Sequence, residues 1–233
     1  MKKCFTCQTK KDDLEPNKEE LIARDSDEVF ERVHLDLCGP LTDSDGYTYV
    51  AVLQDAYSKW AKAKPLDDTR AKTVIRWLQR DVFSRFGEPK MLTTDGGTQF
   101  DSKELKDFCS SCRIEHHIAS PYHHQGNGLK ERAIRTLETM MRTACQDQRE
   151  WSYKLVECVT TYNTRSHLKT GVTPFSLMFN RLPVTKMDRQ YGLSTPPFDE
   201  TGNRVVAKVN RTGELKRIKK QYDKKRRRKS RAD

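Results

Sequence analysis

Between Arg32 and Ile118 the hydrophobic period changes from two to the helical value and back, in an order that few folds can satisfy. Val33, Leu35 and Leu37 alternate with His34 and Asp36, which predicts a strand over 32–37 that Cys38-Gly39-Pro40 stops. Tyr47 to Leu53 is rich in β-branched and aromatic residues and predicts a second strand. Gly46 closes the turn before it, so the two form a hairpin. A third short strand is predicted over 60–63. A helix capped by Asp68 or Thr69 runs to about Phe86, with Val74, Trp77, Leu78 and Val82 as its apolar stripe, and Gly87-Glu88-Pro89 ends it. A strand over 90–94 finishes at the sharp turn Asp95-Gly96-Gly97. A helix over 102–111 and a strand over 113–118 follow. After a polar loop over 121–128, a long helix is predicted from near Asn127 to about Gln146, with Leu129, Ala133, Leu137, Met140 and Ala144 as its core stripe. Further helices are predicted from Trp151 to about Tyr162 and behind Thr173-Pro174. Three strands, then helix, strand, helix, strand, helix, imply a mixed α/β sheet covered by helices. The pattern fades into Gly, Pro and charge after Tyr191, which marks a boundary and gives units of 1–25, 26–190 and 191–233.

Charge is uneven. Residues 216–231 contain eleven Lys and Arg and one acid, Asp223, and so hold +10 of the chain's net +11. Such a tail fits a nucleic-acid partner, a solvated end or a nuclear-import signal. Seven cysteines, an odd number without a secretory leader, point to reduced thiols inside a cell. Cys109 and Cys112 fall in a helical pattern and are expected to be buried. No apolar run approaches the roughly 18–20 residues of a membrane span, so no membrane partner is expected.

Three carboxylates stand out by position. Asp36 lies in the first strand on the side away from its apolar residues, Asp95 ends the fourth strand, and Glu131 lies in the first turns of the long helix. Hard divalent cations take oxygen ligands, typically a few carboxylates together with substrate phosphate. Acids from three separate elements could meet at such a site and hold two ions. Taken singly, each is more simply a helix cap or a solvated acid.

The text around the acids decides between these readings. His34-Leu-Asp36-Leu-Cys-Gly-Pro40-Leu, Thr94-Asp95-Gly-Gly-Thr-Gln-Phe100 and Tyr122-His-His-Gln-Gly-Asn127-Gly-Leu-Lys-Glu131-Arg closely resemble the three active-site blocks of retroviral and gypsy-type retrotransposon integrases. Tyr162-Asn-Thr-Arg-Ser-His and Thr170-Gly-Val-Thr-Pro-Phe resemble the helices that follow that core, so the resemblance spans roughly residues 30–185. The blocks come in the family's order, with its usual gap of 35 residues between Asp95 and Glu131. The resemblance implies an α/β ribonuclease-H-like fold, a mixed five-stranded sheet flanked by helices. It implies that Asp36, Asp95 and Glu131 converge to bind two Mg²⁺ or Mn²⁺ ions. It implies a polynucleotidyl transferase that trims the 3′ ends of element DNA and joins them to target DNA, as a homo-oligomer and in the nucleus.

Other residues carry over by position. Tyr122, Gln125 and Asn127 would lie in the active-site loop and contact DNA ends. Lys130, Arg132 and Arg135 flank Glu131, where cations could hold phosphates; equally they are an ordinary charged helix face, with Glu131 and Arg135 as an i, i+4 pair. The histidine pairs at 116–117 and 123–124 are not read as zinc ligands. Cys4 and Cys7 resemble the second half of the family's His-His-Cys-Cys zinc domain, which makes 1–25 a zinc-domain remnant and linker. Leu215 to Ala232 resembles only the basic lead-in to the family's C-terminal DNA-binding domain. Two departures stand out: Ile134 is apolar where the family often has Asn or His, and His124 stands where Pro is usual. The rival reading is a catalytically inactive, domesticated or truncated integrase remnant that binds nucleic acid.

Overall fold

The computed structural model describes residues 26–119, 130–192 and 199–229, with backbone alone at 130–132, 187, 214–216 and 218–229. β1 (Arg32–Cys38) pairs antiparallel with β2 (Tyr49–Asp55), which pairs antiparallel with β3 (Ala61–Leu66). On its other side β1 pairs parallel with β4 (Met91–Thr94), and β4 pairs parallel with β5 (Glu115–Ile118). The sheet order is β3-β2-β1-β4-β5, the mixed five-stranded sheet expected from the order of periods. The connection between β1 and β2 turns at Asp45-Gly46, where φ is 56° and 81° and Ser44 and Tyr47 exchange both backbone hydrogen bonds. Two successive positive φ values are what a type I′ turn demands, and Asp-Gly meets that demand at little cost. Gly39 is required for space: a Cβ there would lie 2.7 Å from the Thr48 carbonyl oxygen and 2.5 Å from the Tyr49 ring.

Alternation along the strands gives the sheet two buried faces. Val33, Leu35, Ala51, Leu53 and Leu92 pack on α1 (Ala71–Trp77, continuing through a π-helical turn at Leu78–Phe83 to Ser84–Phe86) and on α2 (Lys103–Ser111). Val50, Val52 and Ala61 pack on α3 (Lys130–Ala144) and α4 (Trp151–Thr164). Full burial of aliphatic side chains such as Leu35 and Leu53 stabilises by about 1.5–3 kcal/mol each, before the chain entropy is subtracted.

Four sequence expectations need correction. The N-cap of α1 is Arg70, with no side-chain cap; Asp68 instead accepts from the Arg70 backbone N–H at 2.8 Å and shapes the turn before the helix. The π turn was not anticipated: Trp77 and Leu78, then Val82 and Phe83, are adjacent buried pairs, and a widened turn brings both members of each pair to the sheet. The stripe of α3 is Ala133, Leu137, Met141 and Cys145, whereas Met140 is half-buried and Ala144 exposed. Steps of four follow the sheet more closely here than the mixed spacing read from sequence; Leu129 lies outside the described residues. Cys109 is buried as expected, but Cys112, at the helix end, is half-buried.

The C-terminal region adds three helices: α5 (Pro174–Phe179), whose N-cap Thr173 accepts from the Ser176 N–H, α6 (Lys186–Gln190) and α7 (Glu200–Lys229). The sequence showed no periodicity beyond Tyr191, yet α7 docks. Ala207 packs with Val172 and Leu177. Arg211 donates to the carbonyls of Ser26 and Tyr57, and its guanidinium lies 4.2 Å from the Tyr57 ring centre. Among the described residues no helix is long and apolar enough to cross a membrane.

Candidate active site

β1 and β4 are in register with Arg32 opposite Met91, Val33 opposite Leu92 and His34 opposite Thr93. Two residues further along each chain, on the same sheet face as His34 and Thr93, come Asp36 and Asp95. Parallel pairing therefore carries the two acids, 59 positions apart in sequence, to the same step beyond the shared ladder. Both are half-buried. Asp36 Oδ1 accepts from the Leu37 N–H at 2.9 Å, and Asp95 Oδ1 accepts from the Gly97 N–H at 3.0 Å. The second contact is an Asx turn that the Asp-Gly-Gly sequence favours. In each case a backbone donor fixes the carboxylate's orientation.

A narrow cleft on this face is lined by His34, Asp36, Val52 and Gln54 from the sheet and by Ala133 and Ile134 from α3. The first turns of α3 thus lie against Asp36, and Glu131 sits two positions before Ala133 in the same helix. Only the backbone is described at Glu131, Lys130 and Arg132; Arg135 is exposed on α3. Tyr122, Gln125 and Asn127, and Cys4 and Cys7, lie outside the described residues. Among the described residues no three His, Cys, Asp or Glu side chains gather into a metal-binding group, and the third acid of the expected set is not among those side chains.

The supports of the cleft are polar. Gln54, buried and opposite His34, donates through Nε2 to the Tyr162 hydroxyl at 2.8 Å, and burial pushes that phenol up to about 12. The next residue of α4, Asn163, accepts from the Ala61 N–H at 2.8 Å and donates to the Ala61 carbonyl at 2.7 Å. The Tyr-Asn pair thus joins α4 to β2 and β3. On β1, Cys38 Sγ donates to Glu138 Oε1 of α3 at 2.6 Å. Burial, with the Glu138 carboxylate beside it, pushes the Cys38 thiol up to about 12, so it carries its proton at neutral pH.

Sequence reasoning missed Gln54, because the second strand was expected to end at Leu53; only the hairpin register reveals it opposite His34. His34 was read as sharing the face of Asp36 but was given no place in the site. His116 is held by Thr94, with 2.9 Å between Nε2 and Oγ1. A roomier surface cleft, lined by Ala144, Gln146, Glu150, Tyr153 and Lys154, lies at the far end of α3 and brings no second acid to Glu150. The donor chemistry of Asp36 and Asp95 suits a hard divalent cation: each offers carboxylate oxygens oriented by a backbone hydrogen bond.

Residues 27–124 match the integrase core domain family. The chain is 30% identical over 162 residues to the retrovirus-related Pol polyprotein from transposon 412 of Drosophila melanogaster, covering 69% of this chain and 13% of that protein. It is 26% identical over 189 residues to the Gag-Pol polyprotein of avian reticuloendotheliosis virus, covering 81% and 15% respectively. It is 28% identical over 184 residues to the transposon Tf2-3 polyprotein of Schizosaccharomyces pombe, covering 78% and 14%. The chain therefore spans about a seventh of the length of these curated relatives. Among solved structures, a chain of the simian T-cell lymphotropic virus intasome superposes with a TM-score of 0.59 at 20% identity, over 75% of this chain and 63% of that one. The magnesium complex of the HTLV-2 integrase catalytic core domain superposes with a TM-score of 0.52 at 20% identity, over 65% and 97%. The sheet order and flanking helices are accordingly the ribonuclease-H-like fold of those cores. On motif, sheet and relatives together, the chain carries an integrase core domain of the retroviral and LTR-retrotransposon type.

Proposed function

We propose that this chain is the catalytic core of a gypsy-type retrotransposon integrase, a DNA polynucleotidyl transferase that trims 3′ ends and joins them to target DNA. The observation that carries this reading is the placement of Asp36 and Asp95 at the same step beyond the β1–β4 ladder, with the first turns of α3 against Asp36. Asp36, Asp95 and Glu131 would hold two Mg²⁺ or Mn²⁺ ions, which when bound help ionise the attacking water or 3′-hydroxyl and neutralise charge at the phosphodiester. The chain's own part is positioning. β1 and β4 hold the two Asp, α3 carries Glu131, and backbone donors at Leu37 and Gly97 orient the Asp carboxylates. Tyr122, Gln125 and Asn127 would steer a DNA end, and Lys130, Arg132 and Arg135 would bind its phosphates. The expected setting is a homo-oligomer on DNA in the nucleus. An intasome and a trimeric core among the structural neighbours support the oligomer, and the basic tail supports DNA binding.

The test is a labelled duplex with a recessed 3′-hydroxyl, incubated with the chain and Mg²⁺, Mn²⁺ or EDTA. The wild type should cut and join in a metal-dependent way. Asp95→Asn should reduce product to background while DNA binding survives, because binding rests on Lys and Arg and the substitution removes a negative charge. A second reading, DNA binding without catalysis, is favoured by Ile134, an apolar wall in the cleft beside Asp36. It prevails if the wild type binds DNA but forms no metal-dependent product with any end sequence; Ile134→Asn then tests whether a polar wall restores activity.

A further inference from the structure

We infer that the Cys38–Glu138 hydrogen bond is a positioning clamp that sets how far α3 slides along β1, and through it the distance between Asp36 and Glu131. The inference rests on the reading of those two residues as metal ligands. Cys38 is two residues beyond Asp36 on the same face of β1. Glu138 is seven residues, two turns, beyond Glu131, so both occupy one stripe of α3. Ala133 and Ile134 meet His34 and Asp36 at one end of this contact, and Glu138 meets Cys38 at Sγ–Oε1 2.6 Å at the other, so helix and strand run in the same sense. Ala133, Leu137 and Met141 of α3 pack in one apolar cluster with Val50, Val52 and Ala61 of the sheet, and apolar packing of this kind is non-directional and tolerates sliding. A hydrogen bond to a carboxylate is directional and is broken by a shift of about 1 Å.

The arrangement has the form of an outer contact that orients a ligand-bearing element, a kind whose loss typically costs about 10–100-fold in metal affinity or activity. The thiol touches neither DNA nor the reacting atoms; it acts through the register of α3.

The test uses the full chain and two readouts, the Mn²⁺ concentration at half-saturation and the metal-free melting temperature. Cys38→Val and Glu138→Leu should each raise half-saturation by about tenfold, and the double variant should raise it no further, because both remove one bond. Cys38→Ser keeps a donor and Glu138→Gln keeps an acceptor while dropping the charge; both should stay within about twofold of the parent. Glu138→Gln also separates the hydrogen bond from plain charge attraction and remains informative if Glu138→Leu does not fold. A contact that serves stability alone would lower the melting temperature and leave half-saturation unchanged; that result overturns the clamp, as does failure of Cys38→Ser to behave like the parent. Asp36→Asn is the control. If it leaves Mn²⁺ binding intact, the metal reading itself fails and the clamp with it. If it abolishes binding while Cys38→Val does not weaken it, the clamp alone is overturned.

Discussion

Asp55 shows how much chemistry this chain spends on holding a loop. It is fully buried at the end of β2 and accepts from the N–H groups of Phe30 and Ser58 and from the Ser58 hydroxyl. Burial still holds its carboxyl above the ordinary range despite those donors. An acid whose folded pKa lies above its unfolded value takes up a proton more readily in the folded state. Its stabilising contribution is complete below the unfolded pKa and is lost as pH rises through the folded pKa. Asp55→Asn removes that contribution, so its destabilisation should be larger at about pH 5 than at neutral pH, read by urea unfolding at each pH. An equal or smaller gap at the lower pH would show that the hydrogen bonds outweigh burial. Residue-scale roles were unevenly legible in the sequence. The positions of Asp36 and Asp95 were legible because alternation and a strand-ending Asp-Gly-Gly turn are local signals, whereas the role proposed for them came from the family-like text around them. Gln54, Asn163 and Cys38 acquire their roles from partners 100 or more positions away, and no local pattern encodes such a pairing.

At the scale of elements, all five strands were legible to within a few residues, because turn signals bound them and most alternate or run apolar; β5, Glu-His-His-Ile, does neither. The stripe of α3 was read one position out over its second half, since spacings of three and four are both helical and only the sheet selects between them. α7 was missed for a physical reason: its core-facing set includes Ala207 and an arginine, and a buried Arg211 reads as one more surface charge in a basic stretch. Its burial is tolerated because the guanidinium donates to two carbonyls and stacks on Tyr57. Arg211→Ala should therefore undock α7. Hydrogen exchange over residues 200–212 should quicken by at least about tenfold while β1 and β2 keep their protection. Arg211→Lys should not rescue it, since an ammonium cannot reproduce the planar fork or the stacking. Unchanged exchange in Arg211→Ala would mean that Ala207 and Asn210, which donates to the Thr170 carbonyl, suffice.

For the whole molecule, fold and charge divide the work. Apart from residues 216–231 the chain is almost neutral, so those residues, running through the end of α7, dominate any long-range field. Deleting 216–231 should weaken binding to DNA of any sequence and flatten the dependence of log affinity on log salt, each lost phosphate contact removing about 0.9 from the slope. An unchanged slope would leave the tail as a solvated end or a nuclear-import signal. The parallel pairing of β1 with β4 has a consequence in time as well as in space. During synthesis the β1-β2-β3 meander is complete before β4 exists, and β1 waits with one edge open until residues 91–94 emerge. Pairing across so long a loop is the slow kind of folding event. The corner that would bring Asp36 to Asp95 is therefore absent from every nascent chain that ends before β4, so on the proposed reading a half-made protein of this kind has no place for a metal.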